Sequence, residues 1–469
     1  MQLSRALIII AALAAVLVAG AAGYLVLRPP LPLLRDATFE STLISPNADG
    51  QDDITYIRYR LSRPARVSIY LESESGNRYV FRQDEPRIAG EYRVAFSGIV
   101  GGYTLPGEDI PGTIETRLIP NGEYRWTIAA AGDTERAEAT GTLTITDADT
   151  ALPVISAFEI SPSTFTPNQD GIGDRVNVNV YLEKAATLRV YLEDAQGQRY
   201  YLPERETGRE PGEAGSHEFD YDGGVDQNLQ PPPDGTYRVF AVAQDDVGQR
   251  IVRESQITLK DGGLPKVEIM PQTTGATVVF TTAPYDESYY TDQTTPGAKI
   301  PMPPEITSEL TTLTMSQGDL LVFKLTVYNY GTTPVRTAGP FPGTVYQFDQ
   351  LMTSMGAYRE SGAWRVGINC ETVLSDFPWR WALGPEDELT AVVDEVTGRT
   401  YYYLLPGQRA EVWGAVRMTR LIPALNPQEC WAGLIHEDVA VTQPQVGRRP
   451  IQLIPPDGTL TIEDVAGQD

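Results

Sequence analysis

Histidine and cysteine are nearly absent from this chain. Two of each in 469 residues leave little material for metal centres, redox pairs or nucleophile–base couples. His217 lies in the strand-like run SHEFDYDG, where it reads as a partly exposed strand residue. His436 lies in IHED, which lacks the second histidine of a zinc-protease helix. No G-x-S-x-G elbow, phosphate loop or dinucleotide glycine pattern occurs between a strand and a helix. Cations are also short: 37 Lys and Arg stand against 62 Asp and Glu, a formal charge of -25. Nucleic acid is therefore excluded as a partner, because its phosphates require clustered Lys and Arg. The many carboxylates offer pairs for glycoside hydrolysis, but nothing separates one pair from a solvated acidic surface. A non-enzymatic protein is expected.

Long apolar runs are absent except at the start. Residues 6–27, ALIIIAALAAVLVAGAAGYLVL, hold no charge and as a helix reach about 33 Å, enough to cross the hydrocarbon of a bilayer. Two readings stand, an uncleaved signal anchor or a signal peptide cleaved near Ala19-Gly20-Ala21. The first places a single-pass protein in the cell membrane with its bulk extracytoplasmic; the second makes it secreted. A Pro-rich stretch (Pro29, Pro30, Pro32) follows.

The remainder is rich in turn formers, with 42 Gly and 36 Pro, as all-β chains require. Its organising signal is a string that occurs twice, SPNADGQDD at 45–53 and TPNQDGIGD at 166–174, both [ST]-P-N-x-D-G-x-x-D. An offset of 121 carries Ile57, Tyr59 and Leu61 onto Val178, Val180 and Leu182, and Val67, Ile69 and Leu71 onto Leu188, Val190 and Leu192. Gly90 and Gly98 meet Gly215 and Gly223 at 125, and Gly122-Glu123-Tyr124-Arg125 meets Gly235-Thr236-Tyr237-Arg238 at 113. Offsets change only between strand-like runs, so the length differences belong to loops. Alternation such as Val176, Val178, Val180 has the period of a strand with one buried face. Each copy, about 110 residues of short strands between turn signals, predicts an antiparallel β-sandwich.

The second copy resembles the immunoglobulin-like module of the flagellar hook-cap protein and of many bacterial surface and secreted proteins. The likeness rests on FTPNQDGIGD (165–174), TLRVYLEDAQGQ (187–198), HEFDYDG (217–223) and PDGTYRVFAVAQDDVGQ (233–249). The first string is also similar to the opening of C-terminal modules in gliding-associated secreted proteins. The first copy is similar through SPNADGQDD, with FSG at 96–98 in place of the aromatic-Asp-Gly step. The resemblance covers about half of the chain. It implies spacer, adhesive or assembly roles rather than one activity.

Asn47, Asp49 and Asp53, with Asn168, Asp170 and Asp174, place oxygens at positions one, three and seven of a tight loop. Calcium is one reading, and the only cofactor the sequence suggests. The other is turn chemistry, in which Asn and Asp accept backbone N–H groups two residues on and Gly supplies positive φ.

After Gly262 the signature ends. Residues 266 to about 310 read as a strand and a long exposed loop, and then Leu321, Phe323, Leu325 and Val327 alternate before the turn Asn329-Tyr330-Gly331. GDLLVFKLTVYNYGTTPV resembles strands of cell-surface sandwich modules. Val345-Tyr346-Gln347-Phe348-Asp349, Trp379-Arg380-Trp381 and Leu405-Pro406-Gly407-Gln408 are similar to a small sandwich family named after a bacillus proteinase inhibitor. Five of six tryptophans fall here, and Trp379 and Trp381 share a strand face. They are either core or a ligand-stacking platform. Cys370 and Cys430 form an even pair in an exported chain, and a disulfide is expected.

The expected fold is all-β: tandem immunoglobulin-like antiparallel β-sandwiches after one N-terminal transmembrane helix. The division is an anchor and linker at 1–35, sandwiches at 36–150 and 151–262, a larger sandwich-type domain at 263–460 and an acidic tail at 461–469. The expected function is a membrane-anchored structural or adhesive protein with surface proteins or envelope polymers as partners. The alternative is carbohydrate or envelope binding through the aromatic-rich domain.

Overall fold

The computed structural model describes residues 5–27, 31–206, 208, 210–292, 294–304, 311–394 and 397–455. The expected acidic tail at 461–469 lies outside the described residues, as do Pro29 and Pro30 of the linker. Helix α1 spans Arg5–Leu27. Its side chains are described only over 9–20, and among the described residues no helix is long and apolar enough to cross a membrane. The membrane-spanning reading of this segment is thus not carried by the described residues.

The first sandwich is built from β1 (Leu34–Phe39), β2 (Leu43–Ile44), β3 (Thr55–Leu61), β4 (Ala65–Ser73), β5 (Arg78–Arg87), β6 (Gly90–Phe96), β7 (Ile99–Gly101), β8 (Thr113–Leu118), β9 (Gly122–Ala131) and β10 (Arg136–Ile145). One sheet has the order β1-β3-β6 and the other β2-β10-β9-β4-β5. The second sandwich holds β11 (Ile155–Ser161), β12 (Thr164–Phe165), β13 (Val176–Leu182), β14 (Thr187–Glu193), β15 (Arg199–Tyr201), β16 (Gly215–Tyr221), β17 (Gly235–Gln244) and β18 (Arg250–Leu259). Its sheets run β11-β13-β16 and β15-β14-β17-β18, with β12 on β18, the same order as the first copy. In both, the short early strand pairs parallel with the last one, β2 with β10 and β12 with β18. Tyr124 and Tyr237 each donate a hydroxyl hydrogen bond four residues back, to the Pro120 and Pro233 carbonyls at 2.7 and 2.5 Å. This is the tyrosine corner of immunoglobulin-type sandwiches. The two copies are tandem immunoglobulin-like domains.

The alternation read in the sequence is the packing. Val176, Val178, Val180 and Leu182 are buried while the residues between them are exposed. Tyr124, Trp126 and Ile128 lie in the first core and Tyr237 and Val239 in the second. The fold reaches back past residue 36, because Leu33 is wholly buried in the first core.

Where the repeat offset falls from 125 to 113, the first copy carries an extra loop containing β7 and β8. That hairpin keeps Val100 in the first core and also reaches beyond its own sandwich. β8 pairs antiparallel with β18 of the second domain, Thr113, Ile114 and Thr116 opposite Val252, Ile251 and Arg250, so one sheet runs β15-β14-β17-β18-β8-β7 across the junction. Gln249, wholly buried, bonds the Asp149 and Ala151 carbonyls at 3.1 and 2.8 Å, and Lys184 bridges Asp149 and Asp245, both at 2.7 Å.

The third domain contains β19 (Val267–Ile269), β20 (Val279–Ala283), β21 (Leu313–Ser316), β22 (Leu320–Asn329), β23 (Val335–Thr337), β24 (Val345–Gln347), β25 (Trp364–Cys370), β26 (Trp379–Ala382), β27 (Thr390–Val393), β28 (Thr400–Leu404), β29 (Arg409–Arg417), β30 (Gln428–His436) and β31 (Ala440–Ile454). One sheet has the order β19-β22-β29-β24 with β20 also on β22, and the other β21-β31-β30-β25-β23-β28-β27 with β26 on β25. Leu321, Phe323, Leu325 and Val327 from the first sheet meet Val366, Ile368 and Leu434 from the second in one core. Asn329 is wholly buried and closes its turn by donating to the Thr333 and Leu404 carbonyls, both at 3.0 Å, while its Oδ1 accepts the Gly331 N–H.

Cys370 and Cys430 are bridged, and no free cysteine occurs among the described residues. They face each other across β25 and β30, with Cα atoms 4.1 Å apart. The backbone bond from Glu371 N–H to the Glu429 carbonyl at 3.0 Å lies just beyond them, as at a non-hydrogen-bonded antiparallel pair, where side chains are closest. Replacing both cysteines by Ala is expected to lower the stability of the third domain by about 4 kcal/mol, the loop-closure value for some 60 residues. Urea unfolding followed by tryptophan fluorescence checks this; an unchanged midpoint contradicts it.

Candidate functional site

In the exposed turn of the first domain, Asp53 is the hub. Its Oδ1 accepts the N–H groups of Asn47 and Ala48 at 3.0 and 2.8 Å, and its Oδ2 that of Gly50 at 2.7 Å. Asn47 Oδ1 accepts the Asp49 N–H at 3.0 Å, and Asp49 Oδ1 the Gln51 N–H at 2.8 Å. Ala48 has φ 64° and Gly50 φ 88°. These carboxylates accept backbone N–H groups, as the turn chemistry of Asn and Asp requires. Among the described residues no group of three or more His, Cys, Asp or Glu is placed to hold a metal.

The second turn repeats this wiring. Asp174 accepts Asn168 and Asp170 N–H groups on Oδ1, at 3.4 and 3.1 Å, and the Gly171 N–H on Oδ2 at 2.7 Å. Asn168 accepts the Asp170 N–H at 3.0 Å, and Asp170 the Ile172 N–H at 2.8 Å. Gln169 and Gly171 take the same positive φ, 57° and 81°.

The surroundings differ. Asp49 is exposed, whereas Asp170 is 6% exposed because the third domain covers it. Arg336 of β23 donates from Nε to the Asp170 carbonyl at 2.6 Å, reaches the Ser361 carbonyl, and pairs with Glu360 at 2.8 Å. Tyr403 of β28 donates its hydroxyl to Asp170 Oδ2 at 3.2 Å. His436 of β30 sets Nε2 2.8 Å from the Gln169 carbonyl and stacks its ring on Trp364 at 4.3 Å. Gly171 lies against Ser361, and Gly362 against Asp170 and Gly171, so closely that a Cβ on either would overlap backbone. Behind them Glu437 is held between Arg365 and Arg380 at 2.8 and 2.6 Å, all three buried. The linker adds the bond from Thr333 Oγ1 to the Asp261 carbonyl at 3.1 Å.

Burial reverses the carboxylate chemistry. Asp53 is held below the usual carboxylate range: partial burial raises it, but the N–H groups of Gly50, Asn47 and Ala48 outweigh this. Asp174, with the same kind of donors, is pushed up by burial. Asp170 is pushed up to about 6 by burial and by the nearby charge of Asp174. Burial pulls His436 down to about 4, so at neutral pH it is an uncharged member of the junction.

Two readings are corrected. Trp379 and Trp381 form no ligand platform, because both are wholly buried. Trp381 packs edge-on to Phe323 and Tyr346, and Trp379 edge-on to Phe348. β26 is covered on both faces, so the shared strand face is core. His217 is also wholly buried, between Glu204 Oε1 at 2.5 Å and the Glu213 carbonyl at 2.6 Å. The groups that grip the second turn, Arg336, Ser361, Gly362, Tyr403 and His436, carry no local motif. They are distant in sequence and meet only through the strand order.

No family model and no curated protein matches the chain. Among solved structures it is similar to a two-domain fibronectin type-III segment from chicken tenascin, with 12% identity and a TM-score of 0.16, covering 48% of this chain and 98% of that one. It is similar to extracellular domains 3–5 of Drosophila OTK, with 11% identity and a TM-score of 0.17, covering 91% and 99%. It is also similar to a tetra-tandem repeat in the extending region of a large adhesion protein, with 10% identity and a TM-score of 0.15, covering 85% and 81%. At these TM-scores the likenesses carry no argument. The immunoglobulin-like fold stands on the strand order, the parallel β2–β10 and β12–β18 pairs and the tyrosine corners.

Asp170 is protonated both docked and free below pH 3.8, and ionising it in the docked state becomes costly as pH rises through about 6. Its favourable contribution is thus present at acid pH and lost toward neutrality. Asp170→Asn keeps an oxygen for Ile172 and is expected to stabilise the junction by up to about 3 kcal/mol at pH 7.5, the gain shrinking to nothing near pH 4. Thermal unfolding at the two pH values tests this; an equal loss of stability at both contradicts it.

Proposed function

We propose that this chain is a membrane-anchored extracytoplasmic structural or adhesive protein. Its two immunoglobulin-like domains, of the type seen in the hook-cap protein, hold the third domain at a fixed distance and orientation from the membrane. The observation that carries the reading is the hairpin that the first domain adds to the sheet of the second. A backbone ladder across a junction resists bending, which a spacer needs and a flexible string of domains lacks. The docked turn between the second and third domains acts in the same sense. The apolar run 6–27 supports the anchor, and the cystine supports an oxidising compartment.

The role is non-enzymatic, with other surface proteins or envelope polymers as partners and no nucleic acid. The bridged cysteines and the two buried, engaged histidines support this. Carbohydrate binding through Trp379 and Trp381 is not favoured, because no ligand reaches rings that are wholly buried.

Fractionation with N-terminal sequencing and protease treatment of intact and opened cells tests the reading. The expected result is a membrane-bound chain that retains residues 6–27, with all three sandwiches cut from the outside. A soluble internal protein, or protection of the sandwiches in intact cells, contradicts it.

A further inference from the structure

The strand directions of the third domain fix which of its ends is free. β25 begins beside Ser361 and Gly362, which touch the second domain, and runs away from it to Cys370. β30 returns from Gln428 to His436, whose ring bonds Gln169. β29 ends at Arg417, opposite Gln347 at the end of β24, and opposite Leu320, the end of β22 remote from Asn329 and the linker. The segments 348–356, 371–378 and 418–427 therefore gather at the end of the chain farthest from the second domain.

That tip is apolar where tips are ordinarily polar. Leu374 is 91% exposed, and Leu351, which lines the same groove, is exposed too. A groove of about 380 Å³ is lined by Phe348, Leu351, Val373, Leu374 and Pro378, with Asp349 and Arg420 among its polar residues. The disulfide at Cys370 ties down the start of the segment that carries Leu374. Arg420 is exposed and has no ion pair among the described residues. Beneath the groove, Trp379 follows Pro378 and meets Phe348 edge-on at 5.4 Å. Trp381 and Trp413 donate their indole N–H groups to the Thr344 and Ile300 carbonyls, both at 3.0 Å. The Trp379 N–H, in a wholly buried residue, has no acceptor among the described residues.

We infer that this tip groove is a protein-binding site that takes an extended segment presenting an apolar side chain next to a carboxylate. The apolar side chain fills the space between Phe348, Leu351 and Leu374. The carboxylate pairs with Arg420, whose planar guanidinium suits bidentate recognition. A pocketed apolar anchor with an arginine at its rim is the usual make-up of an energetic hot spot. This deepens the spacer reading by naming what the third domain holds. Its test uses the purified full chain, so a failure of membrane anchoring leaves the result unaffected.

A random-peptide phage library is selected on the full chain and counter-selected on Leu374→Asp. Enriched peptides are expected to share an apolar residue adjacent to Asp or Glu. A synthetic copy of an enriched peptide is expected to bind Leu374→Asp and Arg420→Glu at least about tenfold more weakly than the wild type, a change of about 1.4 kcal/mol. In protein labelled with indole ¹⁵N, the peptide should shift the Trp379 resonance, identified by its loss in Trp379→Phe, among the six tryptophan signals. Both binding variants alter exposed side chains, and circular dichroism verifies their fold. No enrichment over the counter-selected variant overturns the assignment, as does binding indifferent to both substitutions. Displacement of the peptide by an envelope polysaccharide that binds more tightly also overturns it, since the partner is then a carbohydrate.

Discussion

Three rungs of backbone pairing between β8 and β18 hold the architecture together. Each sandwich closes its own core, so nothing in the cores themselves fixes how one domain sits on the next. The hairpin carried by the first domain changes this, because Thr113, Ile114 and Thr116 face Val252, Ile251 and Arg250 as neighbours in one sheet. Sheet register is specific to one residue, so the junction inherits the precision of secondary structure. Gln249 and Lys184 then tie the linker carbonyls and carboxylates beneath it. The strand edge that β18 would otherwise expose is covered, which removes a site for unwanted pairing.

The second junction uses a different device built from a shared part. Asp53 and Asp174 organise the same turn through backbone N–H groups. In the first domain the turn stays at the surface. In the second, the same shape becomes a plug, since its Gly171 and the facing Gly362 let two backbones come together under Arg336 and Tyr403. The change of environment is visible in the carboxyl groups, with Asp53 held down and Asp174 pushed up. A duplicated element thus has two roles, decided by what covers it.

Much of the fold was legible because it depends on local rules. Period-two alternation placed Val176, Val178 and Val180 on one buried face, and the shared offset of 121 placed β3 on β13 strand for strand. The cystine followed from counting. The drop in offset between Gly98 and Gly122 marked an insertion, but not that it would pair beyond its own sandwich, because pairing partners across domains have no short-range signature. The tryptophans show the same limit. Trp379 and Trp381 alternate like any exposed pair on a strand, and only the cover supplied by Phe323, Tyr346 and Phe348 decides that they are core. The junction residues Arg336 and His436 were hidden for the same reason, lying 166 and 267 positions from their partners.

The central claim is that the three sandwiches form one rigid unit. Both native cysteines are bridged, so exposed positions such as Ile88 and Val393, 74% and 60% accessible, can be changed to cysteine and spin-labelled without competition. Double electron–electron resonance between first-domain and third-domain labels measures the claim directly. The account predicts a single narrow distance distribution that broadens when Ile114→Pro breaks the shared sheet. A broad distribution in the otherwise unaltered chain would contradict it.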